Sequence, residues 1–202
     1  MKQYSREIAN QIRNYLDEDK WRYSFNEEKG IFEFNLSIRG GVKTVKYFID
    51  VKETEYLVYV TPPLSVSPDD KKAMKEMAEF VCRVNYGLKQ CNFELDMDGG
   101  DFMVKYYVDC AGRLPTKEII ENSLHCPAMV YKRYGDGIIR IIFLGESAEA
   151  ATERCEGKQN ETSSESTRQE HSGQNDTEKM RARLAARFGV DEKKETEGEE
   201  EE

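Results

Sequence analysis

The fold is decided by residues 31–51, which are IFEFNLSIRGGVKTVKYFIDV. Apolar side chains occupy every second position on both sides of Gly40-Gly41, and this alternation places them on one face of a strand. The paired glycines are typical of a tight hairpin turn. The stretch therefore predicts two antiparallel strands, Ile31–Arg39 and Lys43–Val51, each with one buried face.

Neighbouring segments extend this hairpin. Apolar and polar residues alternate in 21–25, which predicts a strand, and residues 26–30 are typical of a turn. Tyr56–Thr61 predicts a fourth strand that closes an antiparallel meander. Before the meander, Tyr4, Ile8, Ile12 and Leu16 recur at helical spacing through Asp17, so the chain opens with an amphipathic helix. The apolar side of this helix must pack against another element, such as the sheet, to be buried.

After the meander, Ser67-Pro68-Asp69-Asp70 supplies an N-cap, a first-turn proline and two acids that favour a helix dipole. The spacing of Met74, Met77, Val81 and Val84 predicts a second helix that ends around residues 85–88. Two strands then follow. The alternation of Phe93, Leu95 and Met97, the turn Asp98-Gly-Gly-Asp101 and the alternating run Phe102–Cys110 predict a hairpin.

The segment after Gly112–Pro115 permits two structures. Thr116–Leu124 is helical in pattern, but Tyr134-Gly135-Asp136-Gly137-Ile138 is compatible with a hairpin turn as well as with an interrupted helix. Residues 138–144 are rich in β-branched side chains, and Pro127 can kink a helix as well as end it. Periodicity alone leaves both alternatives open.

Composition places a domain boundary near Gly145. Of the 21 aromatic residues only Phe188 lies beyond it, so the last 57 residues have little apolar surface to offset the entropy cost of ordering. Residues 1–145 hold 22 acidic and 21 basic side chains, whereas residues 146–202 hold 17 acidic and 9 basic ones. We therefore predict a domain at 1–145, a disordered acidic linker at 146–176 and a disordered acidic end at 190–202.

Residues 177–189 interrupt this tail with strong helix formers. Thr177 can cap a helix and Gly189 can end it, and the apolar residues recur at i, i+4 and i+8 as in helices that dock in grooves. The alternative is a charge-balanced piece of disordered tail. As tentative partner-binding residues we take Met180, Leu184, Phe188, Arg181 and Arg187.

Several classes of function are disfavoured. A domain with a net charge of −1 in a chain with a net charge of −9 does not suit nucleic-acid binding, which depends on clustered lysine and arginine. No run of 18 apolar residues and no signal peptide is present, and five dispersed cysteines without CxxC spacing suit a reducing compartment. These features predict a cytoplasmic protein without membrane or nucleic-acid partners.

The candidate reactive groups are few. His125 adjoins Cys126, but adjacent helical residues point about 100° apart, which disfavours a Cys/His nucleophile. By their phase, Cys82 and Cys110 are predicted to be small buried hydrophobic residues, whereas Cys91 and Cys126 permit redox sensing by an exposed thiol. The acidic turn at residues 96–101 lacks the glutamate of a calcium loop, and both glycine pairs join strands rather than lead into helices. We predict no catalytic residues, no metal and no cofactor.

Aromatic residues mark the strands as a possible interface. They are scattered over both faces of the predicted sheet, so some aromatic surface can lie outside the core. The alternative is that helices cover both faces. The residues concerned are Tyr47, Tyr56, Tyr59, Tyr106 and Tyr107.

Three stretches of the chain match a known pattern: residues 79–88 are EFVCRVNYGL, residues 91–96 are CNFELD and residues 104–108 are VKYYV. Together with the order of the elements, they resemble the YbjN family of small bacterial proteins. The first resembles the family's helix end with its asparagine, the second its strand G-x-F-x-L-D and the third the partner strand. The resemblance covers about residues 4–145, and Cys91 and Asn92 depart from it where the family often has glycine.

The resemblance implies an α+β fold similar to type III secretion chaperones: a helix, a four-strand antiparallel meander, a helix, a two-strand hairpin and a long kinked C-terminal helix. It favours the helix over the hairpin at 128–144. It also implies a homodimer whose sheet pairs two protomers and whose grooves receive a partner. Together with the residue patterns, it predicts a non-catalytic protein-binding module that is chaperone-like or a regulatory adaptor, with a protein client or regulator as partner. The competing hypothesis is a cysteine-based redox-responsive regulator.

Overall fold

One antiparallel sheet carries a layer of helices on one face in residues 4–157, the part of the chain that the computed structural model describes. The six strands are arranged in the order β1-β2-β3-β4-β6-β5. Their bounds are β1 Ser24–Asn26, β2 Ile31–Ser37, β3 Thr44–Val51, β4 Glu55–Thr61, β5 Cys91–Leu95 and β6 Phe102–Asp109. The predicted α+β class, the meander and the hairpin are confirmed.

The helices follow the same chain order. The third runs through Pro127 and continues into a π-helical turn at Arg140–Leu144, so the helical alternative for residues 128–144 is the correct one. Their bounds are α1 Arg6–Glu18, α2 Lys71–Gly87, α3 Lys117–Ile139 and α4 Ala148–Glu156.

Buried tyrosines hold α3 against the sheet where Pro127 interrupts the helix. Proline has no amide hydrogen, so the carbonyl of Ser123 loses its usual helical donor. Nearby, the Tyr47 hydroxyl donates to the carbonyl of Leu124 at 2.7 Å, and the Tyr56 hydroxyl lies 3.0 Å from Ser123 Oγ. These hydroxyls satisfy polar groups of α3 inside the apolar core, which fixes the helix relative to β3 and β4.

Two glycines of α3 allow neighbouring elements to pack closely against the helix and do not form a turn. A Cβ atom on Gly135 would lie 3.1 Å from the backbone nitrogen of Val42, and one on Gly137 would lie 2.9 Å from Cys155 Sγ and 3.0 Å from the Phe80 ring. Both positions therefore need a residue without a side chain so that neighbouring elements can approach the helix. The glycine pattern that suggested a hairpin is explained by this packing.

Two local predictions are corrected. Helix α2 begins at Lys71, because Asp70 rather than Ser67 is its N-cap and accepts a hydrogen bond from the amide of Ala73 at 3.0 Å. The connection between β2 and β3 is wider than a two-residue turn: it spans residues 38–43 and is closed by the amide of Ile38 donating to the carbonyl of Lys43 at 2.8 Å.

The predicted domain boundary at Gly145 is wrong, and so is disorder for the first part of the 146–176 linker. Ser147 caps α4, whose Ala148 and Ala151 are fully buried, and the amide of Ala148 donates to Glu76 of α2 at 2.8 Å. The aromatic criterion failed because α4 packs through alanines, which need close approach and little apolar area. The ordered part of the chain extends at least to Gly157.

Candidate functional site

The sheet face that points away from the helices is the candidate site, and we call it the open face. Strand alternation sends the buried residues of β2 to β6 towards the helices and the intervening residues outward. Every outward side chain is half-buried or exposed. The open face comprises Glu33, Lys46, Phe48, Asp50, Leu57, Tyr59, Met103, Lys105 and Tyr107.

Aromatic and aliphatic side chains form the centre of the open face. Phe48 of β3 lies opposite Tyr59 of β4, and Leu57 of β4 lies opposite Tyr107 of β6. Directly opposed residues of antiparallel strands have Cβ atoms about 5 Å apart, so these pairs are in contact range. Tyr107 is 51% exposed. Strands β3, β4 and β6 thus carry an apolar block in which Phe48, Leu57 and Tyr59 are half-buried and Tyr107 is exposed.

Paired charges flank the block on both sides. Towards β2, Lys46 Nζ lies 3.0 Å from Glu33 and 4.4 Å from the centre of the Phe48 ring. Towards the opposite edge, Lys105 of β6 pairs with Glu94 of β5. The two ion pairs make the flanks polar without giving the open face a net sign, which is the pattern of an apolar centre with a polar rim.

The Tyr107 hydroxyl adds a directed polar group at the apolar block. It donates to Glu55 Oε2 at 3.0 Å, and this hydrogen bond to a carboxylate raises the pKa of the phenol. Tyrosine combines a large apolar ring with a hydroxyl, which suits a surface that binds partners.

The five tyrosines predicted to mark an interface divide between the two faces. Tyr47, Tyr56 and Tyr106 are buried beneath the helices, whereas Tyr59 and Tyr107 lie on the open face. Helices of the described residues therefore cover one face only. Sequence reasoning missed Phe48, although its position out of phase with the buried residues of β3 was a readable signal.

Two thiols meet between β5 and α3. Cys91 Sγ lies 3.1 Å from Cys126 Sγ, and burial, followed by the hydrogen bond with Cys126, raises the pKa of Cys91. Of the two thiols predicted to be buried, Cys110 is buried, but Cys82 is exposed because it lies on the solvent side of α2. Spacing along the chain does not predict the pairing, since 35 residues separate Cys91 from Cys126.

The adjacent His125 and Cys126 contact different residues. The His125 ring stacks on Trp21 with centroids 6.3 Å apart, and its Nδ1 lies 3.8 Å from Glu121, whereas the Cys126 thiol faces Cys91. The structure therefore does not build the Cys/His pair that their adjacency suggests.

The acidic turn is a hairpin turn in which the Asp98 amide donates to Asp96 Oδ1 at 2.9 Å, and no group of three or more possible metal ligands occurs within residues 4–157. Every helix within these residues is too short or too polar to span a lipid bilayer. The tentative partner-binding residues Met180, Leu184, Phe188, Arg181 and Arg187 lie outside the described residues, so docking by residues 177–189 stays a prediction.

A polar hollow of about 270 Å³ between α1 and β1 is lined in part by Arg6, Arg13 and Glu27. Arg13 pairs with Glu27 at 3.2 Å and lies over the Phe25 ring at 4.9 Å. Its cation is thus engaged within the chain, and the hollow brings together no acid, base and nucleophile.

Comparison with family models matches residues 9–140 to YbjN, described as "Putative bacterial sensory transduction regulator". The chain belongs to the YbjN family. A solved structure described as "Crystal structure of YbjN, a putative transcription regulator from E. coli" is similar, with 19% sequence identity and a TM-score of 0.46 over 62% of this chain and 90% of that chain. No curated protein matches the chain significantly. The resemblance to YbjN proteins noted from the sequence is confirmed.

The asparagine of the YbjN-like helix end has a definite structural role in this chain. Asn85 Oδ1 accepts from the amide of Phe93 at 2.8 Å, and its Nδ2 donates to the carbonyl of Phe93 at 2.9 Å. Since β5 is an edge strand, these two backbone groups would otherwise lack a partner. The side chain of Asn85 thus hydrogen-bonds to the edge strand as another strand would. It joins the YbjN-like helix end, residues 79–88, to the YbjN-like strand, residues 91–96.

We expect Asn85→Ala to lower the free energy of unfolding by about 2 kcal/mol, because it leaves two partly buried backbone groups unsatisfied. Chemical denaturation followed by Trp21 fluorescence would measure the change. Asn92→Ala is the matched control, since the Asn92 side chain makes only a long 3.5 Å contact with Glu94. Equal stability of the two variants would contradict this role for Asn85.

Proposed function

We propose that this YbjN-family chain is a non-catalytic regulatory protein that acts by binding a protein client through its open face. The observation that carries the proposal is the apolar block of Phe48, Leu57, Tyr59 and Tyr107, on the sheet face opposite to the one that the helices of residues 4–157 pack against. The family description, which names a sensory transduction regulator, supports a regulatory role over a catalytic one.

Charge supports a protein rather than a polyanion as the occupant. The basic residues flanking the block, Lys46 and Lys105, are each paired with a glutamate, so no row of unpaired cations follows the face. Phosphate backbones require such rows. A protein surface with an apolar centre and charges of both signs at its rim matches the open face better.

The strands beneath the open face make it a rigid platform. Its side chains project from four neighbouring hydrogen-bonded strands, so ordering them on binding costs less than ordering a loop. Aromatic residues at the centre of an interface provide much of its binding energy. Phe48 and Tyr59, opposed on β3 and β4, are the pair expected to contribute most.

Photo-crosslinking followed by affinity measurement tests the proposal. A photoreactive phenylalanine placed at Tyr59 should capture a discrete client in bacterial cells, whereas the same probe at Tyr86, which is 97% exposed on α2, should not. With the client purified, the double variant Phe48→Thr, Tyr59→Thr should raise Kd about 100-fold, because it removes two central aromatic anchors while keeping β-branched strand formers.

Tyr86→Ala is the matched control and should leave Kd unchanged. Crosslinks confined to Tyr86, or equal affinity of the double variant and the parent, would overturn binding through the open face. Capture of a second copy of the chain at Tyr59, with a smaller sedimentation coefficient for the double variant, would assign the face to a homodimer instead of a client.

A further inference from the structure

The free thiols of Cys91 and Cys126 lie where β5 and α3 meet. Cys91 begins the edge strand β5, and Cys126 lies in α3 immediately before Pro127. Their sulfurs are 3.1 Å apart. Neither thiol is used by the open face, so the pair is a separate chemical feature of the domain.

We propose that Cys91 and Cys126 are a reversible oxidation site that closes to an intramolecular disulfide when the protein meets a hydroperoxide. A disulfide has a sulfur–sulfur distance of about 2.05 Å, so the sulfurs need to approach by about 1 Å. Rotation of two short side chains supplies a movement of this size. The site goes beyond client binding, because it provides a chemical input to the domain.

Access decides which sulfur reacts first. Cys126 is half-buried, whereas Cys91 is only 5% exposed, and its burial keeps it as the protonated thiol. Cys126 therefore meets the oxidant, and since the thiolate is the nucleophile, it reacts after losing its proton. Cys91 is placed to resolve the product because it already lies against Cys126.

The reaction balances in two steps. The Cys126 thiolate attacks one peroxide oxygen, the O–O bond breaks, and a sulfenic acid forms while the second oxygen leaves as water after protonation. The Cys91 sulfur then attacks the Cys126 sulfur, the S–S bond forms, and the S–O bond breaks. The hydroxide leaves with the Cys91 proton as a second water. Two thiols and one molecule of hydrogen peroxide thus give one disulfide and two waters, and a dithiol reverses the bond.

The disulfide would join β5 to α3 across 35 residues. Closing a chain segment of this length restricts the unfolded state, so the oxidised domain should have a Tm higher by on the order of 10 °C. Oxidation would also hold the Asn85-capped edge strand against the helix layer. The redox state of the pair would therefore set how readily this edge of the sheet opens.

Peptide mapping of the full chain tests the site. After treatment with a few equivalents of hydrogen peroxide, two of the five thiols should be lost and a peptide joining Cys91 to Cys126 should appear, with the higher Tm reversed by a dithiol. Cys82→Ser, which alters an exposed thiol on α2, should leave the linked peptide intact. Cys126→Ser should abolish both the peptide and the Tm shift.

Cys91→Ser separates the two steps. It should leave a sulfenic acid on Cys126 that a carbon nucleophile such as dimedone traps, and circular dichroism confirms that the variant is folded. Absence of the linked peptide from the oxidised parent, or linkage mainly through Cys82 to a second copy, would overturn the proposal. Either result would leave client binding through Phe48 and Tyr59 unaffected, so the two proposals fail independently.

Discussion

Gly100→Ala should lower the free energy of unfolding by about 3 to 4 kcal/mol, the sum of a left-handed backbone cost and an overpacked contact. Gly100 has φ +75°, and a Cβ atom there would lie 1.9 Å from the carbonyl oxygen of Val66. The carbonyl of Gly100 also accepts from the amide of Val66 at 2.9 Å. A side chain would push the β5–β6 turn away from the loop before α2 and break this hydrogen bond.

Gly112→Ala separates the two costs. Gly112 has a similar φ of +82°, but a Cβ atom there would meet nothing within 4 Å. This variant should lose only about 1 kcal/mol from backbone strain. Denaturant unfolding followed by Trp21 fluorescence measures both variants. If the two lose equal stability, the contact between Gly100 and Val66 contributes nothing.

The case of Gly100 shows what alternation can and cannot predict. The repeat of apolar residues in 31–51 is sufficient to predict strands β2 and β3, because apolar side chains at every second position all lie on one face of a strand. The role of Gly100 could not be predicted, because Val66 approaches it only in the folded chain. The same holds for Gly135 and Gly137, whose partners Val42, Phe80 and Cys155 come from distant segments.

The open face was predictable in part. The alternation placed Tyr59 and Tyr107 out of phase with their buried neighbours, but the sequence could not show that all helices of the described domain pack on the other face. That outcome depends on the connection from β4 through α2 to the edge strand β5. The meeting of Cys91 with Cys126 depends on the same connection, because it places β5 beside α3 only in the folded domain.

Helix α4 was missed for a different reason. The aromatic residues of the core end before α4, whose buried residues are Ala148, Ala151 and Thr152. Small side chains bury little area but allow helices to pack closely. The glycine at 137 is the matching feature in α3, because it makes room for Cys155 of α4.

A chain ending after Gly145 should therefore be less stable than one ending after Gly157, by about 3 kcal/mol or more, because it exposes the apolar surface that α4 covers. It would also leave Glu76 without the amide of Ala148, and Arg140 without the carboxylate of Glu146. Glu146 additionally holds Arg154 at 3.0 Å, so one carboxylate joins the end of α3 to α4. Denaturant unfolding of the two chains measures the difference.

Point variants in the longer chain distinguish packing by α4 from a nonspecific effect of length. Ala151→Asp should reproduce most of the loss, since it places a charge at a fully buried position between α4 and its neighbours. Glu153→Gln, on the exposed side of α4, should change stability by less than about 0.5 kcal/mol. Equal stability of the chains ending at Gly145 and Gly157 would mean that α4 does not stabilise the domain. In that case the fragment 1–145 would be long enough for every measurement on the open face. If the fragment is instead unstable, the smallest usable domain includes the residues up to Gly157.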